Sequence, residues 1–306
     1  NAAVTSRKEG DKLEILSGIF EGYSTGTPIS INIRNTSQHS SDYGNLATSF
    51  RPGHADYTFD AKYGIRDYRG GGRSSGRETC ARVAAGSVAQ QVLEAKLGSD
   101  FSIKAYTLEA AGISCKSIDY SVIEENALRA PDLEAAALME EKIAEIRKAG
   151  DSAGAIIECV IDGVPAGLGE PVFDKIDAEL GKAMLSIGAV KGIEFGEGFN
   201  SARMTGSVWN DKMRVSEDGK ITFETNHAGG ILGGISNGNQ IVFRLAVKPV
   251  PSIFIAQKTV NKAGENIDLE IKGRHDVCLA PRIVPVVEAM AAITILDLLL
   301  QQKIVN

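Results

Sequence analysis

Apolar residues recur every three to five positions in two stretches of the chain, which is the spacing of an amphipathic helix. In the first stretch Val83, Val88 and Val92 share one side, and Gly98 ends the pattern. A similar stretch ends at Gly150. The predicted helices cover residues 77–97, 132–149 and 171–186.

The last apolar run, residues 283–305, is long enough to raise the question of a membrane span. Pro285, Glu288 and Asp297 interrupt it. A helix that is apolar on all sides is typical of a protein core, so we expect a buried helix and no membrane association.

Shorter apolar runs bounded by glycine and polar residues indicate β-strands. The predicted strands cover residues 13–20, 28–35, 155–161, 221–225, 240–247 and 266–272. Strands and helices are mixed without strict alternation, which favours an α+β fold over a doubly wound parallel sheet. Neither a linker nor a repeat divides the chain, so we expect a single domain over residues 1–306.

The composition is that of an ordinary globular protein, with 43% apolar and 24% charged residues. The net charge of −6 argues against nucleic acid or an anionic membrane as the main partner. The four cysteines are far apart and form no C-x-x-C pair, which predicts free thiols in a reducing cytoplasm and no metal site.

The segment between residues 51 and 82 has the opposite charge, with seven cations against four anions. Residues 69–75 hold three consecutive glycines, two arginines and two serines just before a predicted helix start. Convergent backbone N–H groups, hydroxyls and the helix dipole favour an anion there, so a phosphate or carboxylate ligand is predicted. The alternative from charge alone is a solvated basic loop. Neither a dinucleotide fingerprint nor a Walker loop is present.

A second glycine-rich segment, residues 226–238, contains two Gly-Gly pairs separated by two aliphatic residues. Such a pattern is typical of backbone close to a flat ligand, and equally of a glycine-rich hairpin. Two short motifs follow it, residues 248–252 with two prolines and a terminal serine, and the Arg-His-Asp triplet at 274–276.

Residues 51–58, 63–79, 226–238 and 273–276 resemble the chorismate synthase family in order and spacing, and the resemblance covers the whole chain. It implies a β-α-β sandwich of antiparallel sheets with helices packed between them. It also implies a lyase of aromatic amino acid biosynthesis, in the shikimate pathway. That enzyme needs reduced FMN to eliminate phosphate from 5-enolpyruvylshikimate 3-phosphate, giving chorismate.

The same resemblance assigns roles to individual residues. His54 corresponds to a general acid at the leaving phosphate, Asp276 to an aspartate that assists proton removal, and Arg51 and Arg77 to substrate-binding arginines. Position 188 is often Asn in the family and position 250 often Thr, so only backbone contacts carry over there. The implied FMN contacts are Arg73, Ser74, Ser75, Gly188, Ala189, Gly233, Lys248, Pro249, Val250, Pro251, Ser252 and Arg274.

The family pattern also begins about fifty residues before this sequence, with a Gly-Glu-Ser-His-Gly motif and a basic stretch. Taken as it stands, the chain is therefore expected to be nearly inactive. The resemblance further implies a homotetramer, and leaves open whether NADPH reduces the flavin on this protein or an external reductant does. A non-catalytic phosphate- or flavin-binding module and a flavin reductase are the alternatives.

Overall fold

The computed structural model of the chain describes residues 3–4, 10–35, 46–69, 72–271, 273 and 275–305, with side chains up to residue 302. The helices are α1 (Asp56–Tyr63), α2 (Thr79–Leu97), α3 (Leu133–Lys148), α4 (Ile176–Leu185), α5 (Gly206–Trp209) and α6 (Ala280–Val305). The strands are β1 (Leu13–Ser17), β2 (Ile19–Phe20), β3 (Tyr23–Ser24), β4 (Ser30–Ile33), β5 (Ser102–Ala110), β6 (Ile113–Ser114), β7 (Ala155–Asp162), β8 (Val190–Phe195), β9 (Met213–Val215), β10 (Ile221–Phe223), β11 (Ile231–Leu232), β12 (Ile235–Ser236), β13 (Ile241–Val247), β14 (Gln257–Val260) and β15 (Asn266–Leu269).

The largest sheet has five antiparallel strands in the order β6-β5-β7-β13-β8. Phe243 of β13 stands opposite Cys159 of β7 and Phe195 of β8. Alternate residues of β13, from Ile241 to Val247, are buried, because the side chains of a strand point to opposite faces of the sheet. One face therefore forms the main core.

Helix α6 packs against that core face and against α2, and α2 in turn contacts β4 of the small β1-β4 sheet. The layers therefore run sheet, helix, helix, sheet. Gly86 of α2 meets α6 closely, because a Cβ at Gly86 would lie 2.3 Å from the Cβ of Ala289. The predicted α+β sandwich of antiparallel sheets with helices between them is confirmed.

Helix α6 is long and apolar enough, between Ala280 and Gln302, to cross a membrane by length and composition. In the fold 61% of its most apolar window is buried, and Val287, Ala291 and Ile295 are fully enclosed. The prediction of a buried core helix is confirmed.

Several elements lie where the sequence analysis predicted none, among them α1, β5 and β8. The predicted strand 13–20 is divided at Gly18, whose φ of 86° interrupts the extended backbone. Helix α4 begins only at Ile176, because residues 170–174 form a turn closed by hydrogen bonds between Glu170 and Asp174.

Candidate active site

Three of the predicted site segments meet at the carboxyl end of β13, where residues 248–252 leave the sheet. The backbone N–H of Lys248 donates to the carbonyl of Ala189 (2.9 Å). The Lys248 ammonium donates to the carbonyl of Gly53 (3.1 Å). Three segments predicted separately, around residues 53, 189 and 248, therefore form one continuous surface.

Arg51 joins the His54 loop to the same surface. Its Nη1 lies 3.4 Å from Ser252 Oγ, while Nε and Nη2 donate to the two carboxylate oxygens of Asp56 at 2.7 and 3.0 Å. His54 Nδ1 lies 3.0 Å from Asp56 Oδ1. Arg51 is itself only 7% exposed, so much of its hydrogen-bonding capacity serves to hold this loop together.

Asp56 is the buried centre of this cluster. Arg66 Nη1 adds a third side-chain donor at 3.3 Å, after the two from Arg51, and Arg66 also donates from Nη2 to the carbonyl of Ser49 (2.7 Å). Burial alone would raise the pKa of Asp56, but hydrogen bonds from His54 and Arg51 and their charges outweigh it and hold the pKa far below its usual range. Asp56 is therefore a carboxylate.

The basic segment is thus less available to a ligand than its sequence indicated. Arg51 and Arg66 are both buried against Asp56, and Arg82 pairs with Glu78 at 3.0 Å. Because a buried cation requires a partner, part of this positive charge is neutralised within the fold.

A short 3₁₀ turn at Gly76–Glu78 immediately precedes α2. Ser75 caps it by accepting from the backbone N–H of Arg77 (3.2 Å). The side chain of Glu78 binds Arg82 instead of completing a capping box. Arg73 is exposed, whereas Ser74 and Ser75 are half-buried.

Two arginines fix this helix start to neighbouring segments. Arg82 Nη1 donates to Ser186 Oγ (2.6 Å) and Nη2 to the Ser186 carbonyl (3.2 Å), which places the start of α2 beside residues 186–189. Arg77 pairs with Asp11 and donates to the carbonyl of Arg34 (3.0 Å). The predicted substrate role of Arg77 therefore has to coexist with contacts to the N-terminal strands.

Asp276 pairs with an arginine of α6. Its carboxylate lies 3.0 Å from Arg282 Nε. The neighbouring His275 ring faces Phe254, with 6.3 Å between centroids, so the 275–276 segment borders the residues that follow Ser252. Arg274, the remaining predicted contact in this motif, lies outside the described residues.

The second glycine-rich segment lies at the opposite, amino end of β13. Gly233 and Gly234 form the turn of the β11-β12 hairpin with φ values of 61° and 85°, so the hairpin alternative describes the local structure. The seven residues of β13 span about 20 Å. Within a single chain, the length of β13 therefore separates Gly233 from residues 248–252.

Sequence reasoning missed Asp56, Arg66, Arg82 and Ser186, which position the predicted residues. Asp56 and Arg66 occur inside the motif segments, but nothing in their spacing showed which atoms their side chains contact. Ser186 lay beyond any motif, and its role depends on a contact 104 positions away.

A family model for chorismate synthase matches residues 1–300. The chorismate synthase of Cytophaga hutchinsonii is 53% identical over 307 residues, covering 99% of this chain and 84% of that protein. That of Lachnoclostridium phytofermentans is 56% identical over 301 residues, covering 97% and 80%. A crystal structure of chorismate synthase superposes with a TM-score of 0.74 at 30% identity, covering 95% of this chain and 78% of that one.

Proposed function

Since this chain belongs to the chorismate synthase family, we propose that the surface at the carboxyl end of β13 is its active site. The reaction is the elimination of phosphate from 5-enolpyruvylshikimate 3-phosphate to give chorismate. The observation that carries the proposal is the convergence of three segments, 51–54, 186–189 and 248–252, which are far apart in sequence.

The donors on this surface fit the anionic cofactor FMN. Lys248 donates only to carbonyls, those of Gly53 and Pro249, and within the described part of the chain no carboxylate pairs with it. Burial, and then the positive charge of Lys191, lower the pKa of the Lys248 ammonium below its usual value. A bound phosphate would favour the charged form of Lys248 and so oppose this lowering of its pKa. Ser74, Ser75 and the backbone of residues 188–189 would supply further contacts.

The chain's own residues then have separate tasks. Lys248 and Arg77 balance the negative charge of cofactor and substrate, which would be costly to gather in one site without cations. His54 gives a proton to the departing phosphate, and Asp276 accepts or guides the proton removed from the substrate. Reduced FMN supplies electron density to a reaction that is redox-neutral overall.

A homotetramer is part of the proposal. The β9-β10 hairpin exposes Met213 (58%), Val215 (74%) and Ile221 (67%) on one face, which a second copy would cover. Within one chain, Gly233 lies too far from the proposed flavin site to contact the flavin. In a homotetramer, Gly233 would instead be able to approach the flavin bound by a second copy. Light scattering of the purified protein tests the assembly.

The cytoplasm is the proposed compartment, since all four cysteines are free thiols. The reductant is proposed to be external or NADPH.

The deciding experiment is an anaerobic assay of the full-length protein with dithionite-reduced FMN and 5-enolpyruvylshikimate 3-phosphate, following chorismate absorbance. Turnover that requires reduced FMN supports the proposal. Binding of FMN without turnover would instead indicate a flavin-binding module. Oxidation of a nicotinamide without the shikimate substrate would indicate a flavin reductase.

A further inference from the structure

Lys191 is the extra residue of a β-bulge in strand β8. The register of β8 against β13 shifts there, so that Gly192 and Val190 stand opposite consecutive residues of β13 and Lys191 has no partner on that strand. Val190 and Ile193 both pack against the main core although they are three positions apart, which the two-residue alternation of a regular strand would not allow. The bulge therefore keeps these apolar residues in the core and leaves Lys191 exposed.

This bulge lies beside the proposed flavin surface. Lys191 follows Ala189 by two positions, and the carbonyl of Ala189 accepts from the backbone N–H of Lys248 (2.9 Å). β-Bulges are common next to active sites, where the extra residue redirects a side chain. The lysine that leaves the regular pattern of β8 is thus the one that stands where residues 186–189 and 248–252 meet.

Lys191 and Lys248 bring two positive charges close together. Burial, and after it the charge of Lys191, lower the pKa of the Lys248 ammonium. The ammonium of Lys248 donates to carbonyls, and among the residues that the structure describes no carboxylate pairs with either lysine.

Two neighbouring cations with no anion between them disfavour each other's charged forms. A ligand that carries more than one negative charge would remove this conflict. A phosphate monoester is such a ligand, because its charge at pH 7 is about −1.5 to −2. Lysine binds phosphate as a point charge and needs no fixed geometry, which suits an exposed and flexible side chain.

We propose that Lys191 is a second cation for the phosphate of FMN, presented by the β-bulge and acting together with Lys248. This inference rests on the flavin site in the proposed function. The substrate also carries a phosphate monoester. The flavin phosphate is favoured because Lys191 directly follows residues 188–189, which the proposed function assigns to FMN.

The first test compares FMN with riboflavin, which has the same ring system and no phosphate. In fluorescence titrations of the full-length protein, Lys191→Met is expected to weaken FMN binding about three- to tenfold and to leave riboflavin binding unchanged. Lys191→Arg is expected to keep most of the FMN affinity, because the cation remains. An equal loss for both flavins, or unchanged FMN affinity in Lys191→Met, would overturn the proposal.

The second test measures melting temperatures with and without FMN. Without flavin, Lys191→Met is expected to melt at the wild-type temperature or higher, since one of two repelling charges is gone. The rise in melting temperature that FMN causes is expected to be smaller than in the wild type. A lower melting temperature without flavin, together with a normal rise on adding FMN, would mean that Lys191 is only structural.

Lys96→Met is the matched control, because it removes the same charge from an exposed lysine in the last turn of α2, at the far end of that helix from the proposed site. It is expected to bind FMN as the wild type does. A loss of FMN affinity equal to that of Lys191→Met would show an effect of net charge alone and refute the inference.

The KM for substrate at saturating reduced FMN separates the two phosphates. A raised KM in Lys191→Met with unchanged FMN affinity would assign Lys191 to the substrate and contradict the proposal. If FMN affinity falls in Lys248→Met but not in Lys191→Met, this inference fails while the proposed flavin site stands. If neither variant changes FMN affinity, the flavin site of the proposed function is wrong as well.

Discussion

The ammonium of Lys248 lies 3.1 Å from the carbonyl of Gly53, although the two residues are 195 positions apart. Gly53 has a φ of 69°, and a Cβ there would lie 3.3 Å from that of Pro251. The loop that carries His54 is thus pressed against the segment that leaves β13. This contact ties the proposed acid to the proposed flavin contacts.

Replacing Lys248 by Met should weaken FMN binding about 10- to 100-fold, because a charge-assisted hydrogen bond to phosphate is worth roughly 1.5–3 kcal/mol. Fluorescence titration of the flavin measures the effect. Lys191→Met is the matched control, since it removes a neighbouring cation but leaves the Lys248 ammonium in place, and it should weaken FMN binding less than Lys248→Met does. Unchanged affinity in Lys248→Met would exclude the proposed phosphate contact.

The same lysine predicts a pH dependence. Its pKa in the free protein is below the usual value, and a bound anion should raise it. Between these two pKa values binding takes up a proton, so FMN affinity should be greatest below the pKa of the free protein and decline as pH rises through it. Titrations across the alkaline range should show this decline in the wild type and a flatter profile in Lys248→Met.

Arg77→Ala should raise the KM for substrate about tenfold or more while changing the melting temperature little. Asp11→Asn is the informative control, because it removes the partner of Arg77 but keeps the cation. A substrate role predicts normal or lower KM in Asp11→Asn. A normal KM in Arg77→Ala with a much lower melting temperature in both variants would mean that Arg77 only anchors the N-terminal strands.

The helices were predictable where one apolar side recurs and a glycine ends the pattern, as in α2 and α3. Helix α1 was not, because its sequence is polar and its buried residue is Asp56, held by Arg51 and Arg66. Strand β8 was not predicted because Lys191 and Gly192 interrupt the apolar pattern of this short strand. Its partner β13 lies about fifty positions further along the sequence. Long-range pairing of this kind leaves no local pattern.

For the site, the motifs identified segments but not their arrangement. Residues 51–54, 188–189 and 248–252 do meet, and it was the family resemblance that had assigned all three segments to one site. Gly233 was grouped with them by its glycine pattern, yet the chain path through β13 puts it at the other end of the sheet. A motif records which residue types a segment needs, whereas its place depends on the topology.

The glycines at the amino end of β13 differ in why they are needed. Gly230 has a φ of 82°, and a Cβ there would lie 2.5 Å from the carbonyl oxygen of Gln240, whereas the space around Gly233 is open. Gly230→Ala should therefore lower the free energy of unfolding by more than about 2 kcal/mol, and Gly233→Ala by about 1 kcal/mol. Urea denaturation of both variants measures the difference. Equal losses would contradict the steric argument.

Asp276→Asn should slow turnover while FMN still binds, because an amide cannot accept the proton that the carboxylate is proposed to take or guide. If proton transfer becomes limiting, the isotope effect from C6-deuterated substrate should be larger than in the wild type.

Arg282→Gln supplies the control, since it removes the 3.0 Å partner of Asp276 but leaves the carboxylate in place. A structural role of the ion pair would make the two variants equally slow, with unchanged isotope effects. A proton-transfer role requires Asp276→Asn to be the slower of the two and to be the one whose isotope effect grows. Because both variants break the same contact, any difference between them reports on the carboxylate itself.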